Sequence, residues 1–373
     1  MATEKIDLNN LDKSDWKTYR FDEIAQNISE RVDPNNTDLE VYIGLEHIDS
    51  ESLHIKRHGT PDDVNGTKLK FYKDDIIFGR RRAYQRKAGI ATCDGFCSAH
   101  ALVLRANPDV IDPALFPFFM HSDLFMNRAV DISVGSLSPT INWGTLKYEK
   151  FTVPPVELQA KLAKLLWTMN ESIQTESQLI NKIEILRRSY LKYIYIYLPS
   201  EFPTAETVDI GSLIKLSSGK TRPKDLNEFE SGEYKYPVYG GNGVIGYSKD
   251  YLIDYPTIIL GRVGEYCGVV HNSIAETWIS DNALYVTEFK TDIDKLYLSR
   301  YLEFIDLNAQ QNRSSYPLIT QGKVNKNKIF VLKPEVVSRT MEKLISLEKL
   351  INEVNLKTFT SKELYKNLLN GAF

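Results

Sequence analysis

Between Glu157 and Leu198 the chain runs roughly forty residues without a glycine or an internal proline. Pro154-Pro155 stands just before this stretch and Pro199 just after it. Proline stops a helix at either side and nothing inside breaks one, so the spacing predicts a single long helix. Apolar residues recur at alternating intervals of three and four: Leu162, Leu165, Met169, then Leu179, Ile183, Leu186, Tyr190 and Tyr193. Ser172 and Glu176 interrupt the series in its middle. A 3.5-residue period predicts a narrow coiled-coil seam rather than the broad stripe of a surface helix. At 1.5 Å per residue the rod is about 60 Å long, more than a compact domain requires. Such a rod needs a partner of similar length.

The chain supplies one. After Pro334, residues 335–370 again lack glycine and proline, and Gly371 marks the stop. The second seam reads Leu344, Leu347, Ile351 and Val354, then polar Thr358 and Ser361, then Tyr365 and Leu368. A shift of 182 carries the first seam onto the second: Leu162 onto Leu344, Leu165 onto Leu347, Met169 onto Ile351, Ile183 onto Tyr365, Leu186 onto Leu368.

Nearly the same shift relates the segments that precede each helix. Asp75-Ile76-Ile77-Phe78-Gly79-Arg80 recurs as Thr257-Ile258-Ile259-Leu260-Gly261-Arg262, and Ala101–Leu104 recurs as Ala283–Val286. The polar loop Ser138-Pro139-Thr140-Ile141 recurs as Ser315-Tyr316-Pro317-Leu318-Ile319, and Phe151–Pro155 recurs as Phe330–Pro334. The chain is an internal duplication, and its halves imitate a homodimer with a pseudo-twofold relation. Short buried-strand patterns, turn residues and occasional helices alternate in both halves, which predicts an α+β fold. The predicted domains are 1–155 and 200–333, with long helices at 156–199 and 334–373.

Composition excludes other classes. With 42% hydrophobic and 25% charged residues the chain is neither disordered nor fibrous. No apolar run is long enough for a membrane span, and the first ten residues carry no secretory core. Three cysteines, Cys93, Cys97 and Cys267, are too few for a disulfide framework and fit a reducing cytoplasmic setting. The net charge of −3 confines any nucleic-acid surface to a local patch.

Several motifs invite catalysis and fail on spacing. Ser218-Gly219-Lys220-Thr221 ends like a phosphate loop, but Ile214 occupies the place of its first glycine and Pro223 opposes the following helix. Gly241-Asn242-Gly243-Val244-Ile245-Gly246 fits a dinucleotide fingerprint literally, yet no βαβ unit frames it, so a glycine-rich hairpin is expected. Cys93, Cys97 and His100 lack a fourth zinc ligand, so no metal is expected. Pro154-Pro155 is flanked by valines, unlike an amino-methyltransferase motif. No activated nucleophile or carboxylate dyad is apparent, and the chain is expected to have no catalytic residues.

What remains is basic and polar. Lys68, Lys70, Lys73, Arg80, Arg81, Arg82, Arg86 and Lys87 lie within twenty residues, opposed only by Asp74 and Asp75. The run follows a buried strand directly, which holds its arginines on a fixed loop. The second half keeps Arg262 and adds Lys220, Arg222 and Lys224. Loops containing Ser138, Thr140 and Asn142, and Asn312, Arg313, Ser314 and Tyr316, together with Asn242, supply further donors and acceptors. Arginine forks suit guanine edges and phosphates alike, so these residues are the candidate DNA contacts. Rival readings are a protein-interaction scaffold whose basic loops bind acidic partners, and a decayed nucleic-acid enzyme.

The order of these pieces, doubled, resembles the specificity subunits of type I restriction–modification enzymes. The resemblance covers nearly the whole chain and is carried by Tyr236–Tyr247 (YPVYGGNGVIGY), Ile259–Gly264 (ILGRVG), and each succession of polar loop, strand, proline and long helix. It implies two target-recognition domains, each reading half of a split double-stranded DNA site. It implies that the two helices pair as an antiparallel coiled coil and hold the domains a fixed distance apart. Two methyltransferase subunits that bind S-adenosylmethionine, and motor–nuclease subunits, are the implied partners; this chain itself binds no cofactor. The first half carries Tyr42–His47 (YIGLEH) where the second has its glycine-rich signature, so the halves are expected to read unlike sequences.

Overall fold

Both long helices form, and each is divided between two compact units. The computed structural model describes residues 11–202, 205–311 and 317–373. One unit comprises the chain up to Gln178 plus Leu356–Phe373, and the other Leu179–Asn355. The long helices are therefore parts of the units' own bodies. Each unit takes the N-terminal part of one helix and the C-terminal part of the other.

The first unit contains β1 (Lys17–Arg20), α1 (Phe21–Ile24), β2 (Ala25–Ile28), β3 (Arg31–Val32), β4 (Tyr42–Ile43), β5 (Lys68–Phe71), β6 (Ile76–Gly79), β7 (Ala88–Ile90), β8 (Gly95–Cys97) and β9 (Ala101–Ala106). These are followed by α2 (Phe116–His121), α3 (Asp123–Asp131), α4 (Trp143–Leu146), β10 (Lys150–Val153) and the first part of α5 (Val156–Lys192). The second unit contains β11 (Glu206–Asp209), α6 (Ile210–Leu213), β12 (Ile214–Ser218), β13 (Tyr236–Gly240), β14 (Gly243–Ser248), β15 (Ile258–Gly261), β16 (Val270–Asn272), β17 (Trp278–Ile279) and β18 (Ala283–Phe289). Then come α7 (Lys295–Phe304), α8 (Gln321–Asn325), β19 (Lys328–Val331) and the first part of α9 (Pro334–Gly371).

One sheet is common to both units. Its order is β2-β9-β6-β7 in the first and β12-β18-β15-β16 in the second, with antiparallel neighbours throughout. Alternate residues of its central strands feed different cores, as the two-residue repeat of a strand requires. Ile76 and Phe78 of β6 join Leu102 and Leu104 of β9 on one face, while Ile77 and Val103 point to the other. In the second unit Ile258, Leu260, Leu284 and Val286 form one face, and Ile259 and Ala283 the other. The pair β1-β10 and its counterpart β11-β19 close the units with matching antiparallel registers. The remaining sheets differ. The first unit has β3-β5-β8-β4, whereas the second has β14-β13-β17 built on the glycine-rich hairpin.

The main core of the first unit is aromatic: Phe21 lies 5.3 Å from Phe125, and Phe119 lies 5.5 Å from Phe373, ring centre to ring centre. The last turn of α9 thus plugs the first unit, with Leu369, Ala372 and Phe373 beside Leu162 and Leu166 of α5. In this unit Tyr365 meets Asn170, and Lys357 and Ser361 meet the buried Glu176, so the helix segments run antiparallel. In the second unit Arg187 binds Glu348, while Leu191 and Leu344 share a core.

The seam differs from expectation in one helix. Leu162, Ile183 and Leu344 are buried, and Leu165, Met169, Leu347, Ile351, Tyr365 and Leu368 are half-buried. Leu179 and Leu186, placed on the seam by the 3.5 period, are exposed at 44% and 53%. The buried stripe of α5 instead runs through Leu162, Leu166, Asn170, Ile173, Glu176, Ile183 and Leu191. That spacing follows the 3.6-residue turn of a straight helix, which drifts off a strict heptad over this length. Helix α5 also ends earlier than predicted, giving way to a wider turn at Tyr193–Tyr197.

A buried histidine makes this packing pH-dependent. His121 donates from Nε2 to the Ala88 carbonyl at 2.6 Å, and burial pushes its pKa down to about 4. The unfolded chain binds a proton near pH 6.5 and the folded chain does not. His121 therefore destabilises the fold progressively as the pH drops from about 6.5 to 4, by up to ~3 kcal/mol. His121→Gln keeps a donor and cannot titrate, so its urea midpoint should fall less steeply than wild type between pH 7 and 4.5. Parallel pH profiles would remove His121 as the source.

Candidate nucleic-acid interface

In the first unit the basic run emerges where β6 ends. All four residues of β6 are buried, so Arg80 is the first position at which the hairpin to β7 can turn polar. The backbone groups freed there are met by the polar loop that precedes α4. The Ile141 amide donates to the Arg80 carbonyl at 2.9 Å, and the Arg82 amide to the Pro139 carbonyl at 2.7 Å. Arg81 Nε donates to Ser138 Oγ at 2.7 Å, and Arg81 bridges to Thr140 through the main chain. The loop is strapped down, and its side chains are presented from a rigid base.

Two grooves flank this strap. One, of about 390 Å³, is lined by Arg81, Arg82, Gln85, Lys87, Ser98 and His100, with Leu45 and the carboxylate of Glu46 on its wall. The other, of about 340 Å³, includes Asn27, Arg31, Lys68, Arg80 and Trp143. Arg81 and Arg82 are exposed, as is Asn142 beside the strap, whereas Arg80 is half-buried and donates to the Ala99 carbonyl. Other members of the basic run hold the protein itself. Arg86 pairs with Asp123 at 2.6 Å, Lys87 donates to the Leu45 carbonyl at 2.6 Å, and Lys68 binds the carbonyls of Asn65 and Gly66. Asp75 does not offset the arginines of the loop, because it is buried and takes both ends of the Arg105 fork at 2.7 and 3.0 Å. Gln85, Ser98 and His100 were not singled out as contacts from sequence, since only the fold brings the 98–100 turn beside the arginines. Cys97 is buried, which pushes its thiol up to about 12, and Cys93 is exposed. Among the described residues no cluster of His, Cys, Asp and Glu could hold a metal ion.

The second unit repeats the strap. The Ile319 amide donates to the Arg262 carbonyl at 2.9 Å, and the Gly264 amide to the Pro317 carbonyl at 2.9 Å. Arg262 is half-buried and its Nη1 donates to Ser218 Oγ at 3.2 Å. The glycines that imitate nucleotide motifs serve close backbone approach. A Cβ on Gly261 would lie 2.2 Å from the Gly241 carbonyl oxygen, and one on Gly219 would lie 2.2 Å from that of Ser280. The first contact seats the hairpin turn that carries exposed Asn242 against the Arg262 strand. Lys220, whose amide donates to the Ile279 carbonyl, is exposed, as are Arg222 and Lys224 on the loop that follows. Asn312, Arg313, Ser314 and Tyr316 lie outside the described residues.

Known proteins share this doubled plan. A family model for the type I restriction modification DNA specificity domain matches residues 13–185 and again residues 204–358. The chain belongs to this type I specificity family. The EcoprrI specificity subunit of Escherichia coli is 27% identical over 151 residues, 39% of this chain and 37% of that protein. The EcoDI specificity subunit of Escherichia coli is 27% identical over 153 residues, 40% of this chain and 34% of that protein. Each match spans little more than a third of the relative's length. The S subunit of M. genitalium has the same fold, with a TM-score of 0.66 at 16% identity over 98% of both chains. A chain from a structure on assembly and conformational transition of the type I R-M system gives a TM-score of 0.61 at 17% identity, covering 96% of this chain and 97% of that one. No helix among the described residues is long and apolar enough to cross a membrane.

If Arg262 contacts a base, replacing it by Ala should cost about 1–3 kcal/mol and relax one half-site alone. Competition binding against duplexes altered at single positions measures this. An equal loss on every sequence would assign Arg262 to phosphate.

Proposed function

We propose that each unit of this specificity subunit reads one half of a bipartite duplex target through its strapped arginine loop. The observation that carries this reading is the strap itself, formed twice with the same donor and acceptor positions at Arg80 and at Arg262. A loop anchored by main-chain bonds loses little entropy on binding and places its forks reproducibly. The differing second sheets support unlike half-sites, and hence an asymmetric target. Exposed apolar residues on the helix segments support docking of partners on each unit: Leu356 and Phe359 in the first are 69% and 64% exposed, and Ile185 in the second is 63% exposed. In this proposal two methyltransferase subunits, which bind S-adenosylmethionine, and motor–nuclease subunits assemble on the chain, and its own residues take no catalytic step.

Methylome sequencing of a host expressing the chain with its methyltransferase tests the proposal. One split motif should appear, and Arg81→Ala and Arg262→Ala should each degrade a different half of it. Binding to duplex should also weaken steeply with salt, roughly as the number of phosphates neutralised. A continuous motif, or both variants degrading the same half, would refute the assignment of one half-site to each unit.

A further inference from the structure

The turn that follows the arginines is held in an unfavourable backbone conformation. Ala83–Gln85 form a single tight turn bounded by Arg82 at φ 57° and Arg86 at φ 50°. Left-handed backbone is disfavoured for any residue with a Cβ, and arginine has no short polar side chain to compensate locally. Two such residues four positions apart persist only where the surroundings over-determine them. Ala83 is buried and pins the turn from below, while Tyr84 at its tip is 54% exposed. Arg82 and Gln85 face the groove that also holds Arg81 and His100.

The Glu51 amide donates to the Arg86 carbonyl at 3.1 Å and Ser50 Oγ to the Gln85 carbonyl at 2.6 Å, and further anchoring of the Arg86 side chain comes from far along the chain. Arg86 Nη2 donates to Asp123 Oδ1 at 2.6 Å and to the His121 carbonyl at 3.1 Å, and its Nε lies 3.3 Å from Glu51 Oε1. The other oxygen of Asp123 accepts from Asn370 Nδ2 at 2.7 Å, and the Asp123 amide donates to Asn370 Oδ1 at 2.9 Å. Asn370 belongs to the last turn of α9, which is already fastened to this unit by Leu369, Ala372 and Phe373. The Asn370–Asp123–Arg86 chain adds no apolar burial. It ends on the Arg86 side chain, at the close of the turn.

We propose that Asn370, Asp123 and Arg86 are positioning residues for recognition of the first half-site, fixing the Arg82–Arg86 turn from the end of α9. The role of Arg86 is thereby to hold the turn, while Arg82, Tyr84 and Gln85 face the target. This rests on the reading of the Arg80–Arg82 loop as a DNA contact.

The test uses Asn370→Ala in the full chain purified with its methyltransferase subunits. Two readouts separate the relay from DNA reading. Hydrogen exchange at the Gln85 and Arg86 amides, which close the turn onto Arg82 and Ala83, should accelerate severalfold. Selection from a randomised duplex pool should show about tenfold weaker base preference at the first half-site and an unchanged second half-site, a difference of about 1.4 kcal/mol. Unchanged exchange in the turn, or a loss shared equally by both half-sites, would overturn the proposal. Absence of any sequence preference in the unaltered complex would overturn the DNA reading instead, and the exchange result would then judge the relay alone. Asp123 is partly exposed, so Asp123→Asn provides the same comparison if Asn370→Ala does not fold.

Discussion

A central strand with no exposed face decides where polar chemistry can begin. In β6 and β15 every residue is buried, because each strand has a hydrogen-bonded neighbour on both edges and an apolar layer on both faces. The first side chain able to reach water is the one at the strand's exit, and in both units that residue is arginine. Its backbone leaves the sheet at the same point and would be unsatisfied without a new partner. The loop before the closing strand supplies that partner. Burial of the strand, placement of the arginine and the second loop's anchoring are thus successive consequences of one packing constraint.

The polar positions between the long helices act in the same spirit. Within the first unit the buried Glu176 takes Lys357 at 3.2 Å and Ser361 at 3.4 Å. Within the second, Arg187 and Arg300 share Glu348 and Glu303 at 2.8–3.3 Å, tying α7 to both long helices. Ion pairs this sheltered add little net stability, since desolvation offsets most of the attraction. They do penalise a slipped register, which would leave a buried charge alone. Apolar seams of similar leucines would otherwise tolerate such a slip.

The duplication, the long helices and the central strands were legible because each writes a periodic or repeated pattern: β6 and β15 are continuous apolar runs, and both helices open at their prolines. Phase was harder. A difference of about 0.2 residue per two turns is invisible over two heptads, yet along the whole helix it moves Leu186 out of the buried stripe and Leu166 into it. For the site, Arg80–Arg82 with Ser138 and Thr140 could be found because the strand and the loop are both marked in the sequence. Arg86 could not be distinguished from Arg82 by residue type, since what separates them is the carboxylate of Asp123, in a different element. Gln85 carried no signal, and His100 only that of an incomplete metal-ligand set, because their groove exists only after β8 and β9 place the 98–100 turn.

The first unit is discontinuous and the second is not. Residues 356–373 return to complete a body begun by the preceding chain, whereas Leu179–Asn355 is one uninterrupted segment. In covalent terms the second unit is a guest inserted into the first. The two halves are therefore not equally exchangeable. A foreign segment spliced between the midpoints of the two helices replaces one compact unit whole and leaves the host intact. Exchange of everything beyond α5 would instead import a stranger's final turn into the aromatic core around Phe119. Modular shuffling of such a gene has natural cut points inside its helices, not at the borders of its loops.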